Sequence, residues 1–174
     1  MASLSPGEAR QITSLPSATT SLLRSTLVIP SLPAALVELV QNALDAQATR
    51  IDVSVDLDRW TIKCEDNGIG ITRSELSKIA GERYFSSKTL PGDESGMETF
   101  GFRGEALASL ADMALLEMVS KSRGGSDGTV SLVVRGGERL YEGQASTERA
   151  TEGTTVWIRD IFYKVRDLGA AFDP

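Results

Sequence analysis

Residues 50–66, RIDVSVDLDRWTIKCED, hold two runs of strict alternation with a short break between them. Ile51, Val53, Val55 and Leu57 share one face of the first run; Trp60, Ile62 and Cys64 share one face of the second. A period of two marks a strand with one apolar face, and Asp58 in the break predicts a hairpin. Helical signals bracket this hairpin on both sides. Upstream, SATTSLLRST predicts a short helix, and Ser31 ahead of Leu32 and Pro33 makes an N-cap with proline in the first turn. That second helix is expected to run to about Ala48. Downstream, Thr72 and Glu75 have the spacing of a capping box before a helix over residues 73–81. Two hydrogen-bonding ladders of different period must therefore be packed against each other.

The rest of the chain extends the pattern. Residues 84–99 carry Ser86, Ser87, Pro91, Gly92, Asp93, Ser95 and Gly96, which predicts a long mobile loop of the kind that forms lids. A helix over 104–112 and three strands, in ALLEMVSKS, TVSLVVRG and TTVWIRDIF, follow. The order predicts an α+β fold, a two-layer sandwich with a mixed β-sheet covered on one face by helices. Residues 1–16, rich in Ser, Pro and Gly, are expected to form a flexible tail, residues 17–163 the folded domain, and residues 164–174 a separate divergent tail.

Composition removes several classes of chemistry. The chain has no histidine and one cysteine, Cys64, so Ser-His and Cys-His triads, His-ligated metals and internal disulfides are excluded. Its net charge is −6, which does not suit a general binder of polyanions. There is no apolar run long enough to be a signal peptide or to span a membrane, so the default setting is a reducing, intracellular one.

Three polar clusters remain. On the helix PAALVELVQNALDAQA, Glu38, Gln41, Asn42 and Asp45 occupy one arc opposite Leu36, Val37, Leu39, Val40, Ala43 and Leu44. The arc fits a solvated helix face. It also offers carboxylate, amide oxygen and carboxylate at i, i+4 and i+7 with no Lys or Arg, which fits a hard cation or an activated water. In CEDNGIG, Asp66 continues the inward alternation of Ile62 and Cys64. It fits a turn-capping residue, with Gly68 and Gly70 supplying positive φ, and equally a buried carboxylate awaiting a ligand's amino group. In FGFRGEALASL, Gly101 and Gly104 expose successive amides at a helix start beside Arg103. That stretch fits a loop capping its own helix, or a phosphate cradle.

ELVQNALDA, DNGIG and FGFRGEAL, in this order, resemble the motifs of the N-terminal ATPase domain of the MutL mismatch-repair proteins, relatives of gyrase, Hsp90 and histidine-kinase nucleotide-binding domains. RYFSSK is similar to the family's lid segment and GTTVWIRDIFY to its fourth motif, so the resemblance covers about residues 20–163. The resemblance implies a Bergerat-type sandwich that binds ATP and Mg²⁺, with residues 17–163 as the ATP-binding domain. Glu38 would be the general base, Asn42 the magnesium ligand, and Asp45 a neighbour of the nucleotide. Asp66 would accept from the adenine amine, and Gly68 and Gly70 would make room for the base. Ser86, Ser87 and Lys88 would lie in the lid. Gly101, Phe102, Arg103, Gly104, Glu105, Ala106 and Leu107 would wrap the phosphates, while Thr154 and Thr155 would support Asp66 and the adenine.

GERYFSSK and LADMA are most similar to the larger subunit of the eukaryotic MutLγ heterodimer, a complex of meiotic crossover resolution and mismatch repair. This implies a nuclear protein with no membrane association. It also implies a second MutL homologue as heterodimer partner, and contact with mismatched or recombining DNA through regions outside these residues. The family continues its fourth motif with L-F-Y-N-x-P-x-R and a second domain whose lysine reaches the γ-phosphate. Here the chain reads IFYKVRDLGAAFDP and ends. The resemblance therefore implies a piece of a longer protein with impaired hydrolysis, or an inactive interaction module that keeps the nucleotide-binding fold.

Overall fold

A computed structural model describes residues 17–80, 105–161 and 163. In chain order the elements are α1 (Ser17–Val28), α2 (Leu32–Asp45), β1 (Ile51–Asp56), β2 (Thr61–Asp66), α3 (Arg73–Ala80), α4 (Glu105–Met113), β3 (Leu115–Lys121), β4 (Thr129–Arg135), β5 (Glu138–Gln144) and β6 (Gly153–Arg159). The strands form one sheet in the order β1-β2-β6-β3-β4-β5. All five pairings are antiparallel. The expected α+β sandwich is therefore present, with an antiparallel sheet in place of a mixed one. The physical reason is β6, which enters between β2 and β3 running against both of them.

Alternation decides which residues meet the helices. Ile62 and Cys64 of β2, Val156 and Ile158 of β6, Leu116 and Met118 of β3, and Val130, Leu132 and Val134 of β4 point to one face and are buried. On this inner face α2 packs on β2, α4 on β3 and β4, and α3 on β4 and β5, while α1 packs on α4. From α2, Ala35 and Leu39 join the core; from α4, Ala106, Leu107, Leu110 and Ala111 do so. Each fully buried Leu or Ile contributes roughly 1.5–3 kcal/mol relative to its exposed state.

Local chemistry sets the boundaries. Ser31 has extended backbone (φ −158°, ψ 164°), and its Oγ accepts from the Ala34 N–H at 3.3 Å, so it caps α2 as expected. The helix ends at Asp45, short of Ala48. Thr72 N–H donates to Glu75 Oε2 at 3.0 Å and Glu75 N–H donates to Thr72 Oγ1 at 3.3 Å, the reciprocal bonds of a capping box at α3.

Two readings of the hairpin region change. Trp60 is an exposed turn residue at φ 49°, not a partner of Ile62 and Cys64 on the buried face. The turn spends it to reverse the chain, with Asp56 Oδ1 accepting from the Arg59 N–H at 3.0 Å. Val53 and Val55 pair with Cys64 and Ile62 yet remain 43% and 42% exposed, because β1 is a margin of the sheet. A sixth strand, β5, was not expected from the sequence. Gly136 and Gly137, at φ 60° and 81°, make the two-residue reversal that lays it beside β4.

Candidate functional site

The α2 helix presents Glu38, Asn42 and Asp45 as a half-buried line alongside its buried line of Ala35, Leu39 and Ala43. The apolar arc is wider than the contact with the sheet, so Val37 and Leu44 stay exposed. Asn42 Nδ2 is fully buried and has no hydrogen-bond partner among the described residues. A buried donor left unsatisfied costs about 1–3 kcal/mol, a cost that a hydrogen-bond acceptor at this point would relieve.

The second cluster joins the first through the main chain. Ala46, just past the end of α2, accepts from the Ile69 N–H at 2.8 Å. Asn67 Oδ1 accepts from the N–H groups of Thr49 and Arg50, both at 2.9 Å, tying the α2–β1 connection to the turn after β2. A Cβ on Gly68 would stand 2.5 Å from the Ala46 carbonyl oxygen. Gly68 is therefore required by close approach, whereas Gly70 alone of the two has positive φ, at 70°.

Asp66 is 8% exposed at the end of β2. Its Oδ1 accepts from the Gly68 N–H at 2.8 Å and the Thr154 N–H at 3.3 Å. Its Oδ2 takes no hydrogen bond from the described residues. Burial pushes the carboxyl above the usual aspartate range and Glu65 adds to this; the two N–H donors and the charge of Arg149 pull it back. Register places Asp66, Thr154 and Ser120 in one row on the inner face of β2, β6 and β3. Ser120 Oγ accepts from the Ile71 N–H at 2.7 Å and lies 2.9 Å from Thr154 Oγ1. A polar row thus closes one end of an otherwise apolar face.

Thr155 is separated from this row by alternation. Its hydroxyl lies on the outer face and accepts from Arg149 Nη1, so only Thr154 of the pair lies on the Asp66 side. Ala106 and Leu107 are buried core residues, leaving main-chain groups as what they can offer a ligand, and Glu105 opens α4. Ser86, Ser87, Lys88, Gly101, Phe102, Arg103 and Gly104 lie outside the described residues, as do both expected tails and the expected lid. Ser120 and Arg149 were missed from the sequence. Ser120 had a signal, a polar residue continuing the inward period of Leu116 and Met118; Arg149 comes from a loop and had none.

The cleft of about 320 Å³ lined by Glu65, Glu117, Arg149, Thr155 and Trp157 lies on the outer face, away from the Asp66 carboxylate. No helix of the described residues is long and apolar enough to cross a membrane. No group of three or more acidic or cysteine side chains among the described residues is placed to hold a metal ion.

Residues 30–136 match the family model of histidine kinase-, DNA gyrase B-, and HSP90-like ATPases. The chain is 38% identical over 156 residues to the DNA mismatch repair protein MLH3 of Arabidopsis thaliana, a match that covers 88% of this chain and 13% of that protein. It is 42% identical over 134 residues to the DNA mismatch repair protein MutL of Acidobacterium capsulatum, covering 75% of this chain and 19% of that one. The chain thus spans less than a fifth of the length of either relative. Among solved structures, the N-terminal domain of a DNA repair protein superposes with a TM-score of 0.69 at 29% identity, covering 91% of this chain and 45% of that chain.

Proposed function

We propose that this chain, which belongs to the MutL family of histidine kinase-, DNA gyrase B-, and HSP90-like ATPases, binds ATP with Mg²⁺ in the service of DNA mismatch repair and hydrolyses it slowly. The observation that carries the reading is the state of Asp66. Asp66 is buried, one carboxylate oxygen accepts from two main-chain donors, and the other takes no hydrogen bond from the described residues. A buried carboxylate oxygen is stabilised by a donor, and the exocyclic amine of adenine is one. Guanine offers a carbonyl at the same position and would meet the carboxylate with repulsion. Gly68 lets the turn after β2 close on Ala46 beside the carboxylate, and the hydroxyls of Thr154 and Ser120 hold the floor of the row.

The α2 line supports the phosphate end. The Nδ2 of Asn42, without a partner among the described residues, fits a phosphate oxygen as acceptor, while the amide oxygen of the same side chain is a hard ligand for a cation. A lone protein ligand suits Mg²⁺, which keeps several waters and takes phosphate oxygens in preference to an all-protein cage. When bound, the ion neutralises charge that develops on the phosphates during transfer. Glu38, one turn before Asn42, accepts the proton of the attacking water. The water oxygen bonds to the terminal phosphorus as the bond to the bridging oxygen breaks, and ADP and phosphate leave. The amino end of α4 carries a dipole that favours negative charge. Turnover by these residues alone is slow, because the family's phosphate-reaching lysine belongs to a second domain.

In the full-length protein we place this domain in a MutL-type heterodimer in the nucleus, acting on mismatched or recombining DNA. The identity to MLH3 supports this placement. Isothermal titration with a non-hydrolysable ATP analogue tests the core of the reading. Mg²⁺-dependent binding is expected, and its absence ends it. Glu38→Ala should bind the analogue as well as the parent while turnover drops below detection; turnover that persists removes Glu38 from its role.

A further inference from the structure

Arg149 rises from the segment between β5 and β6 and lays its guanidinium on the outer face of the sheet, directly behind Asp66. Nη2 donates to the Asp66 carbonyl oxygen at 3.1 Å, Nη1 donates to Thr155 Oγ1, and Glu65 Oε1 lies 3.8 Å away. The main-chain N–H of Arg149 donates to Thr129 Oγ1 at 2.9 Å, which anchors the segment itself to β4. The side chain is 12% exposed, and its Nε is buried with no partner among the described residues. An arginine kept at this desolvation cost is committed to what its two Nη groups hold.

What they hold is one end of two neighbouring strands. The Asp66 carbonyl belongs to the residue whose carboxylate faces inward, and Thr155 follows the residue whose N–H donates to that carboxylate. The β6 residue beside that carbonyl has no side chain to do this work. Gly153 sits at φ 120°, and a Cβ there would lie 2.1 Å from the Asp66 carbonyl oxygen.

We propose that Arg149 is a positioning residue for adenine recognition, fixing the main chain at Asp66 from the far side of the sheet and so setting the angle at which the inner carboxylate meets the base. The inference rests on the nucleotide reading above and extends it to a residue that does not touch the ligand. Charged and titratable groups around the carboxylate are Arg149 and Glu65 on the outer side and Cys64 on its own strand. Arg149 is the cation of the set.

The test compares ADP with IDP, which lacks the exocyclic amine, by titration calorimetry on the 174-residue chain. Arg149→Gln should weaken ADP by about tenfold, the loss of one charge-assisted hydrogen bond, and leave IDP unchanged, so that the preference for adenine collapses. Arg149→Lys should fall between the two. In an Asp66→Asn background Arg149→Gln should add no further loss. The decline of ADP affinity on acidification should also begin at a higher pH in Arg149→Gln than in the parent, because the carboxyl has lost its cation. Equal losses for ADP and IDP, or no loss, overturn the inference while leaving the nucleotide reading intact. If Arg149→Gln loses its circular-dichroism fold, the ADP-to-IDP ratio of Arg149→Lys decides by the same criterion. A parent chain that binds neither nucleotide overturns both.

Discussion

The row Asp66–Thr154–Ser120 and the line Glu38–Asn42–Asp45 sit on neighbouring elements and are built in opposite ways. The row spans three strands, is buried, and has its members bonded to one another or to main-chain amides. The line runs along one helix, is half-exposed, and leaves a buried amide donor unpaired among the described residues. The sheet fixes the row in advance, whereas the line keeps one buried donor, Asn42 Nδ2, without a partner among the described residues. Under the proposed reading, selectivity is stored in the folded core and the end that meets phosphate and water is kept open to its ligand.

The largest effect is expected at Gly153. Gly153→Ala forces a Cβ into the Asp66 carbonyl at a left-handed backbone, and it should cost about 3 kcal/mol or more in urea unfolding together with nucleotide affinity. A midpoint shift under a third of that would show that the corner is softer than its geometry.

Asp66→Asn comes next, with about a hundredfold loss of ADP affinity. Its apo stability should not fall at neutral pH. Burial raises the folded carboxyl above the unfolded value of 3.8, so the folded state holds the proton longer, and stability drops as pH rises through that window. Asparagine escapes the penalty. For the same reason ADP affinity of the parent should decline on acidification at a pH above that of an ordinary carboxylate, as calorimetry across pH would show.

Asn42→Ala gives the smallest effect. It should weaken Mg²⁺-nucleotide binding about tenfold while leaving the unfolding stability within about 0.5 kcal/mol of the parent, because the amide nitrogen it removes has no partner among the described residues. A large stability loss would place Asn42 with the row instead of the line.

Much of this arrangement was legible in the chain because local rules and tertiary packing agreed. The helix face bearing Glu38, Asn42 and Asp45 follows from spacing alone, and Asp66 was placed inward by counting in twos from Ile62. Ser31 and the Thr72–Glu75 box capped the helices they were expected to cap. The failures have separate causes. β5, with the sequence ERLYEGQ, is a polar margin strand whose Leu140 and Tyr141 are exposed, so no buried face imprinted a period on it. Its one trace was the paired glycines before it. Trp60 kept its place in the alternation but not in the core, since turn geometry outweighed hydrophobicity there. Arg149 donates to a main-chain carbonyl distant in sequence, and such a partner leaves no local pattern.

Cys64 lies two residues before Asp66 on the same inner face, and burial, reinforced by the Asp66 charge, pushes its thiol up to about 11. At neutral pH almost none of it is thiolate, and a maleimide reaches it when the helices lift from the inner face of the sheet. The rate of alkylation is therefore a clock set by that opening, wound into the molecule beside the carboxylate whose occupancy would slow it.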